Sequence, residues 1–241
     1  TLTGDASANR LAGTGGEDRL VGGDGDDAVA GGGDDDELVG GLGEDALDGG
    51  AGTDLVDLSD AAVAVEINLL LARIREGEDT DRLVRVEDAM GSAHDDTVVG
   101  DDGPNRLSAG DGDDLVAGAL GDDLLAGDAG ADVVTYIGAV GEVDVNLGLG
   151  SAAGDGADVL QGFEVAVGSD FDDVLIGSPN ADDLRGGDGG DALWGLGGAD
   201  RLRGQEGDDE LDGGGGADDL DGGPGTNTCV GGAGDTLVNC A

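Results

Sequence analysis

The sequence predicts an all-β fold, a solenoid in which short strands stack on one another. Three observations predict it: a period of nine residues, an aliphatic residue at one fixed position of each period, and a segment rich in glycine and aspartate between the aliphatic positions. Units this short cannot close a hydrophobic layer by themselves, so successive units have to stack. The aliphatic half of each unit is therefore expected to form a three-residue strand, and the glycine half a turn.

The period is clearest between Val21 and Gly49, where three consecutive units share one order of residues. Each unit has a glycine pair, an aspartate four residues after the second glycine, and an aliphatic residue two positions further on. The register holds through eighteen units, and we call their aspartate positions the aspartate ladder. The ladder consists of Asn9, Asp18, Asp27, Asp36, Asp45 and Asp54, then Asp96, Asn105, Asp114, Asp123 and Asp132, then Asp173, Asp182, Asp191, Asp200, Asp209, Asp218 and Asn227.

The order Gly-Gly-x-Gly-x-Asp-x-aliphatic-x, seen in the unit that begins at Gly22, resembles the calcium-binding nonapeptide of the repeats-in-toxin (RTX) family. The resemblance implies a right-handed parallel β-roll in which two units make one coil, so that aspartates eighteen residues apart lie above one another. It also implies calcium ions between turns stacked one coil apart. Each ion is then bound by the aspartates of both turns and by backbone carbonyl oxygens of the Gly-Gly-x-Gly segments.

Calcium suits such turns, because it takes six to eight oxygen ligands and mixes carboxylates with carbonyls. All eighteen ladder residues are the side-chain ligands that the resemblance implies, and stacked pairs such as Asp18 with Asp36 give about twelve calcium sites. Asn9, Asn105 and Asn227 keep an oxygen but lose the charge, so we expect weaker sites there. The carbonyl ligands implied in the same way are those of Gly22, Asp24, Gly31, Gly33, Gly40, Leu42, Gly49, Ala51, Gly186, Asp188, Gly195, Gly197, Gly204, Glu206, Gly213 and Gly215.

The charge of the chain indicates cations as its partner. There are 56 acidic residues against ten arginines and no lysine, which gives a formal net charge of −46, so a compact state repels itself unless it is neutralised. Nucleic acid and anionic membrane surfaces are disfavoured as partners because both require Lys or Arg to contact phosphate. No apolar run reaches the length of a membrane span. The same composition fits intrinsic disorder, but the regular aliphatic positions argue against permanent disorder. We therefore expect the chain to be disordered only in the absence of metal.

Two inserts interrupt the ladder, and the second repeats the first at an offset of 78 and then 77 residues. Val143–Leu147 matches Val65–Leu69, and Gly168–Asp173 matches Gly91–Asp96. We interpret each insert as a wider coil, with strands around Val65–Leu69 and Leu83 and a loop at 73–81 between them. The predicted organisation is therefore one continuous solenoid of five blocks: 1–56, the insert 57–95, 96–134, the insert 135–172, and 173–241.

The few large side chains of the inserts are expected to pack against the roll, where the nonapeptides offer little apolar area. They are Met90, Tyr136, Phe163 and Phe171.

The two cysteines lie in the last coil. Cys229 takes the aliphatic position of the final unit, and Cys240 follows eleven residues later. A disulfide that closes the open end of the roll is one interpretation, and a pair of reduced thiols is the other. A disulfide would indicate an oxidising compartment.

The sequence favours a non-catalytic, secreted module that binds calcium and folds outside the cell or at its surface. The resemblance implies roles in secretion, in stabilising an attached secreted domain, or in surface structure. The alternatives are an accessory or catalytic part of an extracellular carbohydrate-active or hydrolytic enzyme, with polysaccharide as a partner, and an adhesin segment that self-associates. No catalytic residue is predicted, because His94 is the only histidine and Phe171 takes its place in the second insert.

Overall fold

The computed structural model describes residues 1–240, and every regular element within them is a β-strand. The all-β solenoid predicted from the nine-residue period is confirmed. The chain forms two compact units, the first made of Thr1–Gly118 and Leu124–Gly130 and the second of residues 119–123 and 131–240. The described part of the chain contains no apolar helix of membrane-spanning length. The division into five blocks stays a prediction.

The first unit contains fifteen strands. They are β1 (Leu2–Thr3), β2 (Arg10–Ala12), β3 (Arg19–Asp24), β4 (Ala28–Gly33), β5 (Glu37–Leu42), β6 (Ala46–Ala51), β7 (Leu55–Asp57), β8 (Val65–Asn68), β9 (Arg73–Glu76), β10 (Asp79–Val84), β11 (Asp88–Met90), β12 (Thr97–Val99), β13 (Arg106–Asp111), β14 (Leu115–Ala117) and β15 (Leu124–Ala129).

The second unit contains the remaining thirteen strands. They are β16 (Val133–Thr135), β17 (Asp144–Asn146), β18 (Ser151–Ala153), β19 (Ala157–Gln161), β20 (Val165–Val167), β21 (Val174–Ile176), β22 (Asp183–Asp188), β23 (Ala192–Trp194), β24 (Arg201–Glu206), β25 (Glu210–Asp212), β26 (Asp219–Asp221), β27 (Thr228–Val230) and β28 (Thr236–Val238).

Each unit has two sheets, and consecutive repeats alternate between them. In the first unit the strand orders are β1-β3-β5-β7-β11-β13-β15 and β2-β4-β6-β10-β9-β8-β12-β14. In the second they are β19-β18-β17-β21-β23-β25-β27 and β16-β20-β22-β24-β26-β28. Stacked repeats pair in parallel at an offset of eighteen residues, as Leu20 with Leu38 does. This is the arrangement of two nonapeptides per coil that the resemblance implies.

The core of each unit is the column of aliphatic residues between its two sheets. Leu20, Leu38 and Val56 of one sheet and Val29 and Leu47 of the other are almost completely inaccessible. Several strands are six residues long because the glycine half also pairs, for example Gly23 with Gly41. The glycine segments are therefore part of the sheet edge rather than free turns.

The loop expected at 73–81 is wrong. Residues 73–76 and 79–84 form β9 and β10, which pair antiparallel with each other, and β9 also pairs antiparallel with β8. Ile74 faces the core, whereas the flanking Arg73 and Arg75 point outward and bond to Glu66 at 2.9 and 3.1 Å. The charged run is one exposed face of a strand, and its single buried isoleucine was too weak a signal to reveal it. The second insert forms the same arrangement with β17, β18 and β19.

Two of the insert aromatics behave as expected. Tyr136 and Phe163 are buried, and Met90 is half-buried. Phe171 is 44% exposed, so its predicted packing against the roll is wrong. It lies in the turn before Asp173, where the side chain at this position of the unit points outward, as that of His94 does in the first insert.

The burial of the aliphatic column predicts a large difference between two leucines of β5. We expect Leu38→Ala to lower the free energy of unfolding by about 2–5 kcal/mol, because it opens a cavity in a column that has no other apolar layer. Leu42→Ala, at a side chain that is 55% exposed, should change it by less than about 0.5 kcal/mol. Denaturant unfolding in calcium checks both, and equal effects would contradict the described core.

Candidate metal centre

The aspartate ladder is buried along the edges of both units. Sixteen of its eighteen residues are no more than 5% exposed, and only Asn9 and Asp18, at the first coils of their columns, are partly accessible. Each ladder residue precedes the inward aliphatic residue by two positions, so the strand that buries the aliphatic side chain also turns the carboxylate inward. The positions expected to bind calcium are thus internal.

One carboxylate oxygen of most ladder aspartates accepts a backbone hydrogen bond from the preceding coil. The backbone N–H of Asp18 donates to Asp36 Oδ1 at 2.9 Å, and that of Asp36 donates to Asp54 Oδ1 at 2.8 Å. The same bond joins Asp173 to Asp191 at 2.9 Å. The pairs that the sequence places eighteen residues apart are therefore in direct contact. Further bonds of this kind run from Asn9 to Asp27, Asp27 to Asp45, Asp96 to Asp114, Asp182 to Asp200, Asp191 to Asp209, Asp200 to Asp218 and Asp209 to Asn227.

The second carboxylate oxygen has no such bond in many of the coils. Oδ2 is buried and accepts no hydrogen bond in eight ladder residues. A buried oxygen without a donor costs free energy, and an ionised one costs more. These residues are Asp27, Asp36, Asp45 and Asp54 in the first unit and Asp191, Asp200, Asp209 and Asp218 in the second.

A backbone carbonyl oxygen of the next coil lies close to six of these eight oxygens, those of Asp27, Asp36, Asp54, Asp191, Asp200 and Asp209. A Cβ placed on Gly31 would lie 2.6 Å from the carbonyl oxygen of Gly49 and would clash with Asp36 Oδ2. Two oxygens from stacked turns therefore converge on the space that only glycine leaves empty. The same convergence joins Asp18 to the Gly31 carbonyl, Asp27 to that of Gly40, Asp173 to Gly186, Asp182 to Gly195, Asp191 to Gly204, Asp200 to Gly213 and Asp209 to Gly222.

Some of the carbonyls expected to bind calcium also accept backbone hydrogen bonds. The Leu42 carbonyl accepts from the N–H of Gly25 at 2.6 Å, and the Glu206 carbonyl accepts from that of Gly189 at 2.9 Å. A carbonyl oxygen has two lone pairs, so one such bond leaves the oxygen a second direction for a ligand. The carbonyls of Gly31 and Gly215 are engaged in the same way.

Burial makes the ladder carboxylates hard to ionise without a counter-charge. Burial, with a smaller contribution from the charges of neighbouring aspartates, raises the pKa of Asp45 and Asp200 to about 6 and that of Asp191 to about 7. The arginines seen in ion pairs contact carboxylates outside the ladder: Glu37, Asp48, Asp57, Glu66, Asp183 and Asp219. The counter-charge for the ladder has to come from elsewhere.

The donor set fits a hard cation. Among residues 1–240 no three His, Cys, Asp or Glu side chains converge on one point, so a cation at the ladder would be held by at most two carboxylates together with backbone carbonyl oxygens such as that of Gly49. Calcium accepts this mixture of oxygens, and its irregular coordination tolerates a site shared between two coils. Zinc prefers nitrogen and sulfur ligands and does not suit these turns.

Several turns lack a glycine at the second position of the unit and keep the same backbone. Ala119 and Asp128 both have φ of 69°, and Leu196 has φ of 71°, values that belong to the left-handed region. A side chain in this region costs about 1–2 kcal/mol, which the stacked coil tolerates at these positions.

The asparagines of the ladder are not equivalent. Asn227 accepts from the Asp209 N–H through Oδ1, and its Nδ2 donates to the carbonyls of Gly223 and Asn239 at 3.0 and 3.2 Å. Asn105 donates through Nδ2 to the Glu87 carbonyl at 2.7 Å, and its Oδ1 accepts from the N–H of Asp101 within its own turn at 2.7 Å. At Asn227 the amide therefore points a donor, rather than an oxygen, into the turn.

Five carboxylates outside the eighteen-residue ladder make the same backbone contact, and the nine-residue period missed them. Asp45 N–H donates to Asp81 Oδ1 at 2.9 Å, and Asp54 N–H donates to Glu87 Oε2 at 3.0 Å. In the second unit Asp158 and Glu164 take these positions, and Asp235 takes one beside Asp218. The offset of 77 residues that relates Asp81 to Asp158 and Glu87 to Glu164 is the signal that would have found four of the five.

The cysteines are joined. The Cys229–Cys240 disulfide is present, with a Cα–Cα distance of 5.5 Å, so the first of the two interpretations is confirmed. It links β27 to the segment that follows β28.

The convergence of oxygens on the first glycine of a nonapeptide predicts that alanine has a much larger effect at this glycine than at another glycine of the same turn. We expect Gly31→Ala to reduce calcium affinity and thermal stability in calcium, because its methyl group would displace Asp36 Oδ2 and the Gly49 carbonyl. Gly33→Ala is the matched control, since the nearest atom to its methyl group is the Ala51 carbonyl oxygen at 4.0 Å. Calorimetric titration and melting curves check both variants. Equal behaviour of the two would show that the space beside Gly31 is not needed.

The comparison with protein families agrees with this geometry. The model described as RTX calcium-binding nonapeptide repeat (4 copies) matches residues 3–38, 31–60, 90–125, 116–135, 161–202, 194–229 and 203–238, which together cover most of the chain. No curated protein matches it. The matched segments contain every residue of the aspartate ladder, and the chain belongs to the family of RTX calcium-binding nonapeptide repeat proteins.

Proposed function

We propose that this chain is a secreted module that binds calcium between its stacked turns and folds by doing so. The observation that carries the proposal is the repeated pair of oxygens, an unpartnered buried Oδ2 and a carbonyl of the next coil, along both units. All eighteen ladder residues are proposed ligands, and the weakest site is expected at Asn227, where Nδ2 rather than an oxygen faces the turn. The proposed carbonyl ligands are those of Gly22, Asp24, Gly31, Gly33, Gly40, Leu42, Gly49, Ala51, Gly186, Asp188, Gly195, Gly197, Gly204, Glu206, Gly213 and Gly215. Bound calcium supplies the positive charge that two stacked carboxylates share.

The energetics of the chain support coupling between binding and folding. A solenoid of short strands gains little from burial, because each unit contributes one inward aliphatic residue while ordering nine residues. Fixing each backbone costs about 1–2 kcal/mol, and the glycine-rich segments lose the most freedom. A net charge of −46 opposes compaction further. Each site saturated at a hundredfold excess over its Kd adds about 2.7 kcal/mol, and several sites act on one chain.

An extracellular location is consistent with both the sites and the disulfide. Sites in extracellular modules work at a Kd of about 10⁻⁴–10⁻³ M, so a chain of this kind stays unfolded where calcium is scarce and folds where it is abundant. The Cys229–Cys240 bond persists in an oxidising environment. The module would then serve secretion, an attached domain or surface structure.

A calcium titration followed by circular dichroism tests the proposal. The chelated chain is expected to give a disordered spectrum without a melting transition, because its carboxylates repel one another and each coil lacks burial. Addition of calcium should produce a cooperative β spectrum and a sharp transition.

Magnesium is the control, since it demands octahedral geometry and gives up its water reluctantly. A chelated chain that keeps an ordered β spectrum, or one that folds equally well with magnesium, would contradict calcium-dependent folding.

A further inference from the structure

The hairpin of each insert contains a repeat unit that the nine-residue period does not show. Turn 76–81 reads Glu-Gly-Glu-Asp-Thr-Asp, and turn 153–158 reads Ala-Gly-Asp-Gly-Ala-Asp. In both, the last aspartate is followed two residues later by a buried leucine, Leu83 or Leu160. Neither turn lies in a segment matched by the family model. Unlike an ordinary unit, each is entered from an antiparallel strand.

Each of these two turns is in register with the aspartate ladder of the compact unit in which it lies. Asp81 Oδ1 accepts from the N–H of Asp45 at 2.9 Å, and Arg82 and Leu83 pair in parallel with Ala46 and Leu47. In the second unit Asp158 Oδ1 accepts from the N–H of Asp123 at 3.1 Å. The two aspartates are each 3% exposed. They occupy the place of a ladder residue one coil beyond Asp45 and Asp123.

The second oxygen of these two aspartates has different surroundings. Asp158 Oδ2 accepts a hydrogen bond of 2.8 Å from the hydroxyl of Tyr136, which is buried. At the offset of 78 residues the first insert has Leu58 in place of Tyr136. Leu58 is also buried and has no hydroxyl, so it gives Asp81 no such donor.

Negative charge accumulates at the first of the two turns. Asp45 Oδ2 is buried and accepts no hydrogen bond, and Glu76 pairs with Asp79 across the hairpin. Burial, together with the charges of Asp45, Glu76 and Asp79, raises the pKa of Asp81 to about 7. The Asp81 carboxylate has no counterpart of the tyrosine hydroxyl that Asp158 has in the second insert, and no arginine forms an ion pair with it in the described chain.

We propose that turn 76–81 completes an additional calcium site with the turn of Asp45, in which Asp45 and Asp81 supply the carboxylates. In the second insert the Tyr136 hydroxyl takes the place of the cation at Asp158, and no ion binds there. The two copies of the insert thus differ in metal content because of one side chain. The inference rests on the proposed function, since it extends the same chemistry to residues outside the nonapeptides.

Native mass spectrometry of the full chain in saturating calcium counts the bound ions. Asp81→Asn is expected to carry one ion fewer than the unsubstituted chain, whereas the matched variant Asp158→Asn carries the same number. Asparagine fits such a position, because Asn227 accepts the same backbone bond from Asp209 at 2.9 Å. Circular dichroism in calcium verifies that both variants are folded.

A mild second variant keeps the inference testable if Asp81→Asn does not fold. Tyr136→Phe removes only the hydroxyl and is expected to gain one ion at Asp158. An unchanged count in both Asp81→Asn and Tyr136→Phe would overturn the inference, as would the loss of an ion in Asp158→Asn. If the unsubstituted chain itself binds no calcium, the proposed function fails; if it binds calcium and the variants do not differ, only this inference fails.

Discussion

The structure depends on the ladder aspartates, whose two carboxylate oxygens make different contacts. Oδ1 of a ladder aspartate accepts the backbone N–H of the ladder residue one coil earlier, and so connects the coils as a ladder bond of a sheet does. Oδ2 of residues such as Asp36 and Asp191 faces the interior of the glycine turn, where it is buried and accepts no hydrogen bond. The first contact orders the coil, and the second leaves a negative oxygen that needs a partner.

This arrangement explains why the chain uses so many acidic residues and so few basic ones. An arginine would satisfy a ladder carboxylate permanently, and the ion pairs of the arginines instead lie on the outside of the sheets, for example between Arg85 and Asp48. A cation from solvent can neutralise an internal carboxylate and can also leave it. Under the proposed function, stability would therefore be linked to the concentration of that cation. The aliphatic column contributes one buried residue per nonapeptide, so burial alone gives each coil little stability.

The inserts show how the same ladder is continued by other backbone. The antiparallel strands β8–β10 and β17–β19 lengthen one sheet of each unit, yet Asp81, Glu87, Asp158 and Glu164 still accept the N–H of a ladder aspartate. Glutamate replaces aspartate at two of these positions. The hydrogen bond from a ladder N–H to a carboxylate of the next coil is therefore kept where the nonapeptide pattern is absent.

The period of nine residues by itself determined the all-β class, the eighteen ladder positions, sixteen of which are buried, their stacking at eighteen residues and the aliphatic core, because these follow from repetition of one short local pattern. The tertiary structure decided what local pattern cannot express. Whether Arg73–Glu76 is a loop or a strand depends on Ile74 reaching Ile67 across a hairpin. Whether Asp81 and Asp158 are equivalent depends on Tyr136, which lies 22 residues before Asp158 in the chain and touches it only after the coil closes. Contacts between residues far apart in sequence carry no period, and only the folded chain shows them.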